Sequence, residues 1–282
     1  MKGAKAHSKN SKRIASGAGV LLIGSVVAKM LGALYRIPLT NILGAEGMGM
    51  YQLVFPVYAL FMVLATAGIP TALSRMVAEK RAIGEDTKKY LSVAMLALFV
   101  LGLAFAAVMA GASRFLAARQ GNADTYPGFL VIAPAIVCVC VISGFRGWFQ
   151  GEMYMLPTAL SNVVEQVVKL SVGLALSYAL IKKGVIYAVC GALLGVTISE
   201  IVTVIYMLAT YFVRSKKQKS GEKVKLNVTK QDVKDVIHVA LPIAAVAMLM
   251  PLSSFFDSVI IVNMLKAFGL EKNVATAQYG IM

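Results

Sequence analysis

Charge is what this chain lacks most. Only 15% of its 282 residues are Asp, Glu, Lys or Arg, against about 25% in a soluble globular domain. That scarcity excludes a soluble enzyme and a disordered chain. Cysteines are few and none has CxxC spacing: Cys138, Cys140 and Cys190 all lie in apolar runs, and the histidines are His7 and His238. A disulfide framework is therefore excluded, and neither a metal nor a cofactor is expected. Acids are scarcest of the charged residues, 13 against 28 Lys and Arg, for a net charge of +15. Such an excess can signal nucleic-acid binding. Here the basic residues cluster between apolar runs, which membrane topology explains, so no nucleic-acid partner is expected. The loops hold no DxD or HxxxD cluster of the kind a membrane enzyme acting on sugars needs, so the chain is not read as an enzyme.

Apolar residues make up the balance, at 59% with a mean hydropathy of +0.76. Crossing ~30 Å of hydrocarbon takes ~20 apolar residues in a helix. Seven segments qualify, near 14–43, 48–77, 90–111, 126–149, 156–181, 185–213 and 236–265. The sequence therefore predicts an all-α polytopic membrane protein. A basic N-terminus (1–13) precedes a first bundle of six spans (14–213). A Lys-rich linker (214–235) follows, then span seven and the opening turn of an eighth (236–282). The unfinished last span reads as part of a longer protein.

Counting Lys and Arg by loop sets the orientation. With the N-terminus in the cytoplasm, the inside segments hold 19, Arg146 among them, and the outside loops hold six. Membrane lipids are expected partners, because basic juxtamembrane segments attract anionic headgroups.

Charges within spans are costly and mark candidate sites. In span one, Lys29 and Arg36 are seven residues apart, so they share a face about 10 Å apart along the axis, with Gly32 leaving a notch between them. In span five, Asn162, Glu165, Gln166 and Lys169 fall at i, i+3, i+4 and i+7 on one face. Glu165 and Lys169 stand in the favourable order for an ion pair. Glu200 in span six and Asp257 in span seven are candidates for neutralising a buried cation or carrying a coupling ion. Pro70, after Gly68, interrupts span two, and Pro242 and Pro251 interrupt span seven.

Several runs carry a resemblance. They are Lys29-Met-Leu-Gly-Ala-Leu-Tyr-Arg36-Ile, Leu43-Gly-Ala-Glu-Gly47-Met-Gly-Met-Tyr51, Gly68-Ile-Pro-Thr-Ala-Leu-Ser-Arg75 and Phe145-Arg-Gly-Trp-Phe-Gln-Gly151, followed by Pro157-Thr-Ala and Glu165-Gln166. Together they resemble the stage V sporulation protein B and MurJ-like polysaccharide-transport branch of the MOP flippase superfamily. The resemblance implies a MATE-like pair of six-helix bundles around a central cavity, of which this chain supplies the first and the start of the second. It implies alternating-access transport of an undecaprenyl-diphosphate-linked sugar across the cell membrane, such as a lipid II-like precursor. Cell-wall synthesis proteins are then possible partners. It also implies cationic cavity residues, carried over to Lys29 and Arg36 and, at the edge of span two, Arg75. A cation-coupled multidrug exporter of the same superfamily and a non-transporting cell-wall assembly scaffold are the rival readings. The exporter should show acids where span one shows two cations.

Overall fold

The computed structural model describes the backbone of residues 2–66, 68–217 and 230–281, and the side chains of 17–66, 68–215, 242 and 245–281. The basic linker 214–235 and the side chains of the basic N-terminus 1–13 therefore lie largely outside the described residues.

Helix α1 covers Lys2–Thr66. At 1.5 Å per residue it is roughly 100 Å of helix, about three hydrocarbon thicknesses, so it cannot be one crossing. Gly44 divides it, with φ 66 and ψ −175, backbone angles that glycine alone adopts at little cost. Spans one and two are the halves on either side. Gly68, at φ 78, ends the second half, and Pro70 opens α2 (Ile69–Ala82), where proline's missing N–H costs nothing. Then follow α3 (Lys88–Gly111), α4 (Ser113–Arg119), α5 (Tyr126–Gly151), α6 (Leu156–Leu180), α7 (Val185–Lys217), α8 (Lys230–Ala267) and α9 (Lys272–Ile281). Among the described residues, six helical stretches are long and apolar enough to cross a membrane, the first being the kinked Gly17–Ala82 segment. The break expected at Pro70 is present. Those expected at Pro242 and Pro251 are not, because α8 runs through both. Proline removes one hydrogen bond, and membrane helices tolerate that loss where neighbours make it good.

Small residues set the packing. Cβ atoms built on Gly17, Gly24 and Gly32 would meet Met155, Ala159 and Gln166 in turn. The partner numbers rise together, so the first half of α1 runs parallel to α6. Gly191 faces Leu176 and Gly195 faces Gly173; these numbers run oppositely, so α6 and α7 are antiparallel. Close approach at small residues is how membrane helices gain packing where no hydrophobic force drives them together. Helix α5 is the central member, burying Phe129, Ile132, Ile136, Ile142, Trp148 and Phe149 completely.

Each end of the bundle is tied by polar contacts. At one end, buried Glu152 after α5 accepts a hydrogen bond from Thr87 Oγ1 (2.7 Å), and Thr87 Oγ1 accepts one from Trp148 Nε1 (3.2 Å). Its other oxygen lies 3.8 Å from both Arg81 and Arg214. Nearby, Glu85 accepts from the Tyr90 hydroxyl and pairs with Lys89, which together hold its carboxyl below the usual range. Lys80, Arg81, Lys88, Lys89 and Arg214 make this the basic end. At the opposite end, the Gln120–Asp124 loop grips α8 and α9. Gln120 Nε2 donates to Leu53 O and Ser258 Oγ, both at 2.8 Å. Asn122 Nδ2 donates to Thr276 Oγ1 at 3.1 Å, Lys266 to Gly121 O at 3.0 Å, and Lys272 pairs with Asp124.

Candidate functional site

A cavity of about 370 Å³ opens between the two halves of α1, α6 and the α8–α9 segment. Its wall takes Gly32, Tyr35, Arg36 and Leu39 from before the Gly44 kink, and Met48, Tyr51, Gln52, Phe55 and Pro56 from after it. Lys169, Ser254 and Tyr279 complete the wall. The two halves of α1 contribute residues at similar distances from Gly44, so the kink folds them towards each other. Among the described residues Arg36 and Lys169 are the charged members of the wall, which includes no carboxylate. The Lys169 ammonium lies 5.5 Å from the ring centroids of both Tyr35 and Phe55, within cation–π range. Tyr35 is buried, and its hydroxyl has no hydrogen-bond partner. That hydroxyl packs against Gly173 of α6, 2.8 Å from where a Cβ would stand, so Tyr35 offers the cavity its ring.

Behind the wall lies a group of opposed charges. Arg146, projecting from α5, places Nη2 3.0 Å from Glu165 Oε2 and donates through Nε to Ser161 Oγ at 3.0 Å. Gln166 Nε2 donates to the other Glu165 oxygen at 3.1 Å. Glu200 on α7 is only 5% exposed, and its carboxylate lies within electrostatic reach of Glu165, Arg146 and Lys169. The neighbouring Thr197 and Thr203 hydroxyls are turned to backbone carbonyls, Val131 O and Ser199 O respectively.

The structure thus brings together part of the expected set. Asn162, Glu165, Gln166 and Lys169 are all half-buried. Gln166 sits against Gly32, 3.3 Å from where a Cβ would stand, so the notch in span one receives a side chain of span five. Arg36 and Lys169 share the cavity. Lys29 is exposed and outside the wall, as are Arg75 on α2 and Asp257 on α8. The pairing of Glu165 with Lys169, favoured by their spacing, does not form; Arg146 takes the carboxylate instead. Sequence reasoning placed Arg146 among the basic loop residues, because it stands five residues before the end of α5. It also missed Tyr35, Tyr51, Gln52, Ser254 and Tyr279. Tyr35 adjoins Arg36, but nothing local indicated that chain more than 200 residues away would close the wall.

Residues 14–269 match the polysaccharide biosynthesis protein family. Stage V sporulation protein B of Bacillus subtilis (strain 168) is 29% identical over 269 residues, covering 94% of this chain and 52% of that protein. The lipid II flippase MurJ of the same organism is 31% identical over 214 residues, covering 70% of this chain and 39% of the relative. The chain spans about half the length of the curated relatives it matches. Among solved structures, MATE in complex with MaD5 superposes with a TM-score of 0.72 at 19% identity, covering 95% of this chain and 66% of that one. An inward-facing multidrug resistance MATE family transporter of the MOP superfamily gives 0.67 at 19% identity, covering 92% and 60%. These structures share the fold of this chain. The chain is a multi-pass membrane protein and belongs to the polysaccharide biosynthesis protein family.

Proposed function

We propose that the chain carries the substrate-binding half of a flippase for a lipid-linked diphosphate sugar. The observation that carries this reading is the cavity wall, two cations with aromatic and amide neighbours and no acid. A diphosphate entering a low-dielectric space loses its hydration, and fixed cations offset that loss. Arg36 offers a planar fork of donors suited to phosphate oxygens, and Lys169 offers a point charge across the cavity. The prenyl tail stays in the bilayer between the bundles while the headgroup crosses. The names of the relatives, a lipid II flippase and a sporulation protein, support an undecaprenyl-diphosphate carrier with a peptidoglycan or polysaccharide headgroup. The work is translocation by alternating access, with no covalent step.

In this reading the N-terminus is cytoplasmic, so the basic end tied by Glu152 faces the cytoplasm and the Gln120–Asp124 loop faces outward. Glu200, buried beside the cavity cations, is the better coupling candidate. Asp257 is exposed on α8, where a second bundle would meet it. The full translocation pathway, and any cell-wall synthesis partners, belong to this proposal.

The test is flipping of a fluorescent undecaprenyl-diphosphate sugar in vesicles. A lost charged hydrogen bond costs about 1.5–3 kcal/mol, roughly tenfold to a hundredfold in binding. Arg36→Ala and Lys169→Ala should each weaken transport by that factor, and Arg36→Glu should abolish it. Lys29→Ala, outside the wall, should be milder. Normal flipping by Arg36→Glu would overturn the reading.

A further inference from the structure

The cavity's charge depends on a residue that does not line it. Lys169 follows Glu165 by one helical turn, an arrangement that ordinarily joins the two as an ion pair. They are not joined here. Both Glu165 oxygens are taken, Oε2 by Arg146 Nη2 at 3.0 Å and Oε1 by Gln166 Nε2 at 3.1 Å. Arg146 is itself fixed by its Nε bond to Ser161, whose hydroxyl donates on to Thr158 O at 2.7 Å. Lys169 is left against the Tyr35 and Phe55 rings, on the cavity side.

We propose that Arg146 is a positioning residue: by occupying Glu165, it leaves the Lys169 ammonium free to face the cavity and so sets the sign of the charge that the cavity offers. The inference rests on the reading of the cavity as an anion site, and it names what keeps that site cationic. The balance of groups around Lys169 explains why Arg146 is needed. Glu165 projects from its own helix, Glu200 from α7, Arg146 from α5, and Tyr35 and Arg36 from α1. Glu165 and Glu200 are thus shared between two cations, Arg146 behind the wall and Lys169 on it. With Arg146 removed, two acids face Lys169 alone. The low dielectric draws the ammonium back to Glu165, and the cavity keeps one effective cation instead of two. The geometry also separates Arg146 from ligand contact, since Glu165 and Ser161 use its guanidinium and it is absent from the wall.

The experiment uses the purified protein in detergent and farnesyl diphosphate as the anionic probe, with binding read by calorimetry. Arg146→Gln should weaken binding at least tenfold, and Arg146→Lys should keep it within about threefold. The double variant R146Q/E165Q should recover binding to within about threefold of wild type, because it removes the acid that Arg146 had occupied. Glu165→Gln alone should bind at least as tightly as wild type, and it tests the idea even where Arg146→Gln fails to fold. Unchanged binding by Arg146→Gln would overturn the proposal, as would failure of the double variant to recover or a tenfold loss in Glu165→Gln. A second readout does not need the probe. An ammonium held by a carboxylate acylates slowly, so acetic anhydride should modify Lys169 more slowly in Arg146→Gln than in wild type or the double variant, as read by mass spectrometry. A wild type that binds no diphosphate, yet shows this acylation order, would sink the anion reading and leave the role of Arg146 standing. Equal acylation in all variants would remove that role.

Discussion

Glu152 offers a direct measure of how the basic end is held. Its carboxylate does three things: Oε1 accepts from Thr87 Oγ1 at 2.7 Å, and Oε2 stands 3.8 Å from Arg81 Nε and from Arg214 Nη2. These are unequal in energy. The hydrogen bond is charge-assisted and buried, with Glu152 only 4% exposed, and such a bond contributes about 1.5–3 kcal/mol. The two arginines are 44% and 27% exposed, and partly exposed pairs are screened to about 0–1 kcal/mol each. Glu152→Gln keeps a neutral acceptor for Thr87 and loses the pairs and the bond's charge assistance, for about 1–2 kcal/mol. Glu152→Ala loses the pairs and the bond and leaves the Thr87 hydroxyl without its acceptor, for about 3 kcal/mol. The chain's single tryptophan is Trp148, which donates to that same Thr87 hydroxyl, so its fluorescence reports unfolding at the site itself. Thermal melts in detergent should place Gln between wild type and Ala, since about 1 kcal/mol moves the midpoint of a chain this size by 2–4 °C. Equal losses in Gln and Ala would refute the reasoning, because they would place the energy in the arginine pairs.

Two further predictions concern packing and orientation. A Cβ on Gly147 would stand 2.7 Å from Pro70 O and 2.9 Å from Pro70 Cα, while one on Gly111 meets nothing within 4 Å. Gly147→Ala should therefore destabilise by about 1–3 kcal/mol through overpacking of α5 on α2, and Gly111→Ala should be neutral or slightly stabilising; the same melts would show whether the order is reversed. For orientation, a cysteine at exposed Ile83, in the α2–α3 turn, should resist an impermeant thiol reagent in intact cells, whereas one at exposed Ala123 should react. The opposite pattern would invert the topology.

The helices were legible because each is a sequence-local fact. Twenty apolar residues declare a span whatever surrounds them, and Gly68 with Pro70 declares a break because backbone geometry is local. The polar face of α6 was legible for the same reason, since Asn162, Glu165, Gln166 and Lys169 lie within two helical turns. What those side chains touch was not legible. Ser254 and Tyr279 reach the cavity, and Asn122 reaches Thr276, across separations of 100 residues or more. No spacing rule operates over that range. The Gly44 break falls where the sequence already separated spans one and two, but nothing local showed that the helices on either side of it would wall one cavity.

Glu165 shows why local rules lose where they lose. The spacing rule assigns it to Lys169, and an i, i+4 pair stabilises a helix by about 0.2–0.5 kcal/mol. Arg146 lies 19 residues earlier on a neighbouring helix and reaches the same carboxylate at 3.0 Å. With both partners about four-fifths buried, a charge-assisted hydrogen bond contributes about 1.5–3 kcal/mol, several times the local term. Tertiary packing therefore decides the partner, and the loser of that competition, Lys169, lies against the Tyr35 and Phe55 rings at the cavity wall. Lys169 thus lines the cavity while Lys29 stands exposed outside its wall, a difference that spacing within the spans did not reveal.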